Sequence, residues 1–339
     1  MQLYAAVDLH SSNCVPVVLD EQGKRVFSKR VPNRPASAIV DALAPYREQL
    51  VGVAVESTPN WYWLERTLRL ADFKVELVNT AAVEQYGGKK HSDDFSDAEH
   101  LADLMRMNRL PTAYICPEKD RALRDLARKR SQLVRQRTSQ LLSAHNLIAR
   151  DIGEHVTGNA LKALTAGAVN AMALLADQKT ALKATLAVER CLDNQIERLE
   201  RAILAQTRPR EDFRWLKTVS GIGDVLGMTV ALESGDMTRF RTAGNFASYA
   251  RMVDTARISN GKKKGSGNAR CGNRYLAWAF MEAAHHAIAH DPVIRRWYQR
   301  KCAKCHKVVA MKAVAHKLAR ASFHVVTQKT QFDARRAFG

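Results

Sequence analysis

The chain has 339 residues, 46% of them apolar and 26% charged, with 53 Lys and Arg against 34 Asp and Glu and a formal net charge of +19. That length suits two or three domains, and the composition excludes a disordered chain, a collagen-like chain and a disulfide-stapled mini-protein. A surplus this large attracts polyanions, nucleic acid being the commonest and an acidic membrane surface the competing reading; no run of 18 apolar residues is present to span a bilayer.

Residues 3–19 read as a strand LYAAVDL, a turn HSSN and a second strand CVPVVLD. No basic segment precedes the first apolar stretch, so it reads as a strand carrying an acid and not as a signal peptide. After the turn EQGK, RVFSKRV is predicted as a third strand, and RPASAIVDALAPYREQL as a helix with Pro35 near its first turn. VGVAVES at 51–57 is a continuous apolar run ending in an acid, as a buried central strand would be. NWYWLERTLRLAD is predicted helical, KVELVNT at 74–80 is a short strand, GGKKHSDD is a loop, and FSDAEHLADLMRM is an amphipathic helix with Ser or Asp available to cap it. Strand pairs followed by strand–helix–strand units define an α/β layer fold.

From 118 to about 206 the pattern is almost wholly helical. Leu192, Ile196, Leu199 and Ile203 form a stripe of coiled-coil spacing under two heptads long, which is more often core packing than oligomerisation. GEHVTGNALKALTAGA carries no strong signal. Further on, Gly221-Ile222-Gly223 lies between two helical stretches and reads as a helix–hairpin–helix, whose glycines let backbone N–H groups at a helix N-terminus approach a phosphate. A basic glycine-rich loop, RISNGKKKGSGNARCGNRYL, spans 257–276, then come the helix AWAFMEAAHHAIAHDP and a basic helical stretch over 293–329. The last ten residues are expected to fray.

Charge is concentrated. Lys119–Asp151 holds nine basic and three acidic residues, Arg257–Arg274 six basic and none acidic, and Arg295–Arg320 nine basic and none acidic. Together these windows exceed the whole net charge, so the remainder is slightly acidic. Any one run is ordinarily a solvated helix face; three favour a nucleic-acid surface. The six cysteines are scattered, as suits reduced thiols in a cytosolic protein. Cys302, Cys305 and His306 spell C-x-x-C-H, but haem attachment needs export and zinc needs two more ligands nearby, so they read as two thiols on a basic helix.

The first 118 residues hold the conspicuous carboxylates. Asp8 sits within an apolar strand, Glu56 ends another, and Asp94 and Asp97 are three apart at a helix start, hence on one face. Unpaired buried carboxylates cost several kcal/mol, a burden a divalent cation removes. Carboxylate oxygens suit Mg²⁺, with Mn²⁺ as the alternative, and two such ions ~4 Å apart serve phosphoryl transfer. Capping by Asp94 and a surface role for Asp97 are the structural alternatives, and Asp93 is a rival for the third position.

The segments AAVDLHSS, VAVES, SDDFSDAEHLADL, SGIGDVLGMTVALESGDMTRFRTAGNFASYARM and SNGKKKGSGNARCGNRYL occur in an order that resembles the RuvC-like DEDD transposases of bacterial insertion sequences, which include the Piv-type invertases and the bridge-RNA-guided recombinases. The resemblance covers most of the chain, and its C-terminal block is the most specific part. It implies a RuvC-like α/β domain of RNase H fold over 1–117, a helical coiled-coil region over 118–206, a mainly α transposase domain with a helix–hairpin–helix-like element over 207–329, and a tail over 330–339. By position the four acids fall on Asp8, Glu56, Asp94 and Asp97, as metal ligands. The nucleophilic serine, which precedes a glycine–lysine step, falls on Ser259, with Asn260 where the family usually has Gly and Ser266 as a rival. Gly221, Gly223, Lys262, Lys263, Lys264, Arg270 and Arg274 are the expected nucleic-acid contacts.

The expected chemistry is attack of the Ser259 hydroxyl on a phosphodiester, giving a phosphoserine link to DNA while Mg²⁺ stabilises the phosphoryl oxygens. The resemblance also implies donor and target DNA, a structured guide RNA that pairs with both, a homotetramer built as a dimer of dimers, and a cytoplasmic, nucleoid-associated location. The RNA enters through the resemblance alone. Two alternatives remain at this level: a metal-dependent structure-selective nuclease of the RuvC kind, and a non-catalytic nucleic-acid-binding protein.

Overall fold

The computed structural model describes residues 1–83, 93–255, 257–265 and 271–339. Two compact units divide the chain, Met1–Ile115 and Cys116–Gly339. The first is α/β with a mixed sheet, and the second is mostly helical.

In the first unit, β1 (Leu3–Leu9), β2 (Asn13–Leu19) and β3 (Arg25–Ser28) form an antiparallel meander, and the two-residue β4 (Val31–Pro32) also pairs with β2. RVFSKRV is therefore two strands and not one. Lys29 and Arg30 interrupt it, and the Arg30 side chain turns away to bond Asn13 and Asp94. After α1 (Ser37–Leu43), β5 (Leu50–Glu56) returns parallel to β1; after α2 (Trp61–Leu70), β6 (Val75–Val78) adds parallel to β5. The strand order is β3-β2-β1-β5-β6. α3 (Asp94–Arg106) follows.

The alternation of side chains along a strand assigns each residue to a face. Leu3, Ala5, Val7 and Leu9 of β1, with Val53 and Val55 of β5, join the core formed with Ile39, Leu43, Leu64 and Leu68 of α1 and α2. Ala6 of β1 and Ala54 of β5 join the other core, made with Ala98, Leu101 and Ala102 of α3. By the same alternation Asp8 and Glu56 belong to the α3 face. That single fact places the acids of the sheet opposite the acids of the helix.

In the second unit, α4 (Glu118–Ile152) and α7 (Ala176–Thr207) lie antiparallel, with Arg130 paired to Glu200 and Arg137 to Asp193. Leu199 and Ile203 of the predicted stripe pack with Leu123 and Ala127 of α4 and with Met228 and Leu232. Between the long helices, where the sequence carried no strong signal, stand α5 (Gly158–Ala163) and α6 (Ala166–Ala171). Thr157 and Thr165 cap them by accepting from Ala160 N and Ala168 N.

Next come α8 (Glu211–Leu216), α9 (Asp224–Ser234) and α10 (Ala243–Tyr249). The stretch predicted as a basic loop holds a hairpin of β7 (Arg257–Ser259) and β8 (Lys262–Gly265), after which α11 (Arg274–His290), α12 (Pro292–Cys302), α13 (Lys307–Gln328) and α14 (Ala334–Phe338) complete the unit. α9 is buried on all sides, and its Glu233 accepts two hydrogen bonds from Arg128 of α4 (2.7 and 2.8 Å) and one from Asn273 Nδ2 (2.7 Å). Asn273 in turn caps α11. The expected fraying of the last ten residues is not observed. Asp333 caps α14, and Phe338 is fully buried with its ring edge against Trp297, so apolar burial outweighs the freedom of the chain end.

Candidate functional site

β1 is a central strand, flanked by β2 and β5, and nearly all of it is buried. Asp8 near its end is only 8% exposed. Val7 is the register partner of Val55 in parallel β5, so the next residue on each strand, Asp8 and Glu56, stand side by side at the carboxyl ends. Their carboxyls share a hydrogen bond. Burial pushes both above the usual carboxylate range, and the Asp8 charge and the shared bond raise Glu56 further.

α3 delivers the other two acids. Asp93 is the N-cap, accepting from Ser96 N at 2.8 Å while Ser96 Oγ accepts from Asp93 N at 2.9 Å. Capping thus falls to Asp93, and Asp94 is free to turn to the sheet. Asp94 and Asp97 share a stripe with Leu101, which is buried against the sheet. Asp97 raises both Asp8 and Glu56 through its charge. Asp94 accepts from Arg30 Nη2 at 2.5 Å, which holds its carboxyl below the usual range. The four predicted acids therefore converge on one corner of the first unit.

His10, which the sequence reading did not single out, completes the corner. Its Nε2 lies 3.2 Å from Asp8 Oδ2 and 3.1 Å from Asp94 Oδ2. It is at ion-pair distance from both, it helps hold the Asp94 carboxyl down, and the atom is buried. Among the described residues, Asp8, His10 and Asp94 form a group whose ligand atoms all lie within 4.8 Å of one another. The D-x-H spacing at the end of β1, with His10 one residue past the strand, was the available signal. Two carboxylates with raised proton affinity and a buried nitrogen set between two acids fit a divalent cation. Nearby Cys14 is fully buried, and burial together with the Asp8 charge pushes its thiol up to about 11, so it stays protonated.

The remaining predicted residues lie in the second unit. Ser259 ends β7 and is exposed; its register partner is Lys262 of β8. The turn between them is Asn260-Gly261, with φ of 49° and 69°. Both values are left-handed, as a two-residue hairpin turn of the tightest kind requires. Directly paired residues share a face, and so do alternate ones, so Ser259 shares its side of the hairpin with Lys262 and Lys264. Lys263 pairs with Ile258. Ser266 and Arg270 lie outside the described residues.

The two glycines of the predicted helix–hairpin–helix have different surroundings. A Cβ at Gly221 would sit 2.2 Å from Ala283 O and 2.8 Å from Ala287 N, so this glycine packs against the α11 backbone. Gly223 is exposed at the N-cap of α9 with nothing within 4 Å of its missing Cβ. Asp224, at the first helical position, is already paired with Lys217 (2.5 Å) and Arg208 (3.3 Å). Arg274, at the start of α11, is exposed and lies over the Tyr275 ring. With Arg130, Arg135 and Trp278 these two line a groove of roughly 210 Å³ between α4 and α11.

Two family models match the chain, the first running from the first unit into α4. A transposase family model of the DEDD, IS110 type matches residues 5–150, and the model of the "Transposase IS116/IS110/IS902 family" matches residues 214–299. A probable family 20 transposase of Pseudomonas aeruginosa is 28% identical over 289 residues, covering 82% of this chain and 84% of that protein. The transposase of insertion sequence element IS1328 of Yersinia enterocolitica is 24% identical over 287 residues, 83% of this chain and 85% of its own. An insertion element IS110 protein of Streptomyces coelicolor is 33% identical over 89 residues, 26% of this chain and 22% of its own. The chain belongs to the IS110-type DEDD transposases, enzymes of insertion sequences that act on DNA. No helix among the described residues is long and apolar enough to cross a membrane.

Proposed function

We propose that this transposase exchanges DNA strands in a metal-dependent, RNA-guided reaction through a covalent phosphoserine intermediate on Ser259. The observation that carries the reading is the convergence of Asp8, Glu56, Asp94 and Asp97 at the carboxyl ends of two parallel strands, in a chain whose two halves both match transposase models. The strand order, three antiparallel strands followed by two parallel ones with α3 over the central strand, supports an RNase H-like reading of residues 1–117. The antiparallel α4–α7 pair supports an intramolecular coiled-coil region over 118–206, leaving 207–329 as the transposase domain and 330–339 as its tail.

Asp8, Glu56, Asp94 and Asp97 would hold Mg²⁺ or Mn²⁺, which supplies charge stabilisation at the phosphoryl oxygens. Ser259 supplies the nucleophile: its Oγ bonds to phosphorus, the bond from phosphorus to the departing nucleotide oxygen breaks, and the hydroxyl proton passes to solvent or a base. Lys262 and Lys264, on the same side of the hairpin, favour the alkoxide and hold the phosphate. Gly223, Lys263, Arg270 and Arg274 contact donor and target DNA or the guide RNA. Assembly as a homotetramer and action in the bacterial cytoplasm at the nucleoid complete the reading.

The test is a suicide DNA substrate incubated with the full protein, its guide RNA and Mg²⁺. Wild type gives a protein–DNA adduct that survives denaturation. Ser259→Ala and Asp8→Asn give none, while both still bind DNA. Cleavage without an adduct in wild type would instead mark a hydrolytic nuclease, and full activity of Asp8→Asn would mark a protein that uses no metal at this corner. An adduct persisting in Ser259→Ala refutes the assignment of the nucleophile.

A further inference from the structure

We infer that His10 is a nitrogen ligand of the divalent cation at this corner, and that it tilts the centre toward Mn²⁺ over Mg²⁺. The inference rests on the metal-dependent reading above and adds a residue that the four-acid pattern does not contain.

Three observations carry it. The first is spacing. Octahedral coordination with donors about 2.1 Å from the ion sets neighbouring donors about 3 Å apart. His10 Nε2 stands 3.2 Å from one Asp8 oxygen and 3.1 Å from one Asp94 oxygen, the separation of donors around a shared ion. The second is orientation. The ring turns the buried Nε2 toward both carboxylates at once, near enough to Asp94 to help hold that carboxyl below its usual range. A nitrogen aimed at two acids at once is positioned to share an ion with them.

The third is support. The His10 backbone is held at three points: its N donates to Asn13 O at 2.9 Å, and its carbonyl accepts from Asn33 Nδ2 and Asn60 Nδ2, both at 3.0 Å. Asn60 precedes α2 and Asn33 follows β4, so two separate segments fix one residue of the β1–β2 turn. Arg30 holds Asp94 from the far side, bonding Asp94 Oδ2 and Asn13 Oδ1. Such outer contacts are what orient metal ligands. A histidine serving only as a surface counter-ion needs no backbone clamp.

The preference follows from the donor set. Mg²⁺ is bound through oxygen, whereas first-row transition ions accept imidazole nitrogen. Loss of the imidazole weakens Mn²⁺ binding about tenfold or more, the scale on which even outer contacts act. Mg²⁺ loses less than about threefold, because its oxygen donors stay.

The experiment loads full-length protein with Mn²⁺ and records electron spin echo envelope modulation, with affinity from the free-ion electron paramagnetic resonance signal and Mg²⁺ affinity by competition. Wild type shows nitrogen-14 coupling from an imidazole, and protein labelled with nitrogen-15 histidine shows the changed pattern. His10→Ala and His10→Asn keep a bound Mn²⁺ but lose the coupling and bind it at least tenfold more weakly. Asp8→Asn controls for the site. Mn²⁺ binding that depends on Asp8 but shows no nitrogen coupling in wild type, or coupling that persists in both His10 variants, overturns the inference and leaves the metal reading standing. Absence of any Asp8-dependent Mn²⁺ binding overturns the metal reading, and the inference with it. The wild-type spectrum requires no variant to fold.

Discussion

Replacement of Gly221 by Ala is a sharp test of the second unit. Gly221 has φ +86°, where a residue with a Cβ is strained by about 1–2 kcal/mol. The new Cβ would stand 2.2 Å from Ala283 O and 2.8 Å from Ala287 N. Both atoms are main chain, in a helix whose Ala283, Ala284 and Ala287 are fully buried, so neither can swing aside as a side-chain tip would. Restoring ordinary contact requires α11 to move by about 1 Å, and overpacking of this sort costs about 1–3 kcal/mol. The sum, about 2–5 kcal/mol, lowers Tm by roughly 5–15 °C in a unit of this size. Gly223→Ser is the control. Nothing lies within 4 Å of its Cβ, its φ is −86°, and Ser is a good N-cap, so Tm stays within about 2 °C. Thermal unfolding followed by circular dichroism, without DNA and at fixed salt, reads both. An unchanged Tm in Gly221→Ala refutes the packing argument. Weaker DNA binding by Gly223→Ser at unchanged Tm supports a phosphate contact there, which the sequence had assigned to both glycines alike.

Glu233→Ala removes the carboxylate bonded by Arg128 and by the α11 cap; with Arg128 one-third exposed, the loss is about 3 kcal/mol by urea unfolding, and Glu233→Gln loses less because it still accepts from Asn273. In metal-free protein, the raised proton affinities of Asp8 and Glu56 stabilise the fold most fully below the ordinary carboxylate range, and that contribution is lost as pH rises through the raised values. A divalent cation binds the deprotonated pair, so the Tm gain from Mg²⁺ grows as pH rises above the ordinary carboxylate range, and Asp8→Asn abolishes this growth. A gain independent of pH would contradict the assignment. Arg274→Ala and Arg135→Ala each reduce the salt dependence of DNA binding by about one unit of slope, measured by titrating DNA across a salt series; an unaltered slope places the backbone elsewhere.

Much of the first unit was legible because its signals are local. Alternation along LYAAVDL and VGVAVES fixes which residues share a face, and an acid inside an apolar strand is conspicuous at once. His10 was equally within reach, two residues beyond Asp8, but a histidine beside a turn carries no signal until the carboxylates around it are placed. Arg30 was hidden for a different reason. Its partner Asp94 is 64 residues away, and RVFSKRV has enough β-branched and aromatic character to read as one strand. Only the tertiary pull on Arg30 breaks it.

The second unit was harder because its decisive contacts are long-range or depend on glycine surroundings. Nothing near Gly221 in sequence reveals α11, which lies some sixty residues further on. Glu233 lies in an apolar helix and reads as a surface acid unless Arg128, 105 residues earlier, is known to meet it. The hairpin of β7 and β8, by contrast, was written in the chain: Asn-Gly between short extended segments is the strongest short signal for a two-residue turn. Lysine content masked it, since KKK and neighbouring glycines read as loop. A tight turn with left-handed residues at both central positions holds Ser259 and Lys262 in register opposite each other. Insertion of one residue between Asn260 and Gly261 would separate hydroxyl from lysine while keeping every side chain, and it should abolish adduct formation as fully as Ser259→Ala while leaving the Tm of the helical core unchanged. Retained adduct formation in that variant would show that the turn itself contributes nothing.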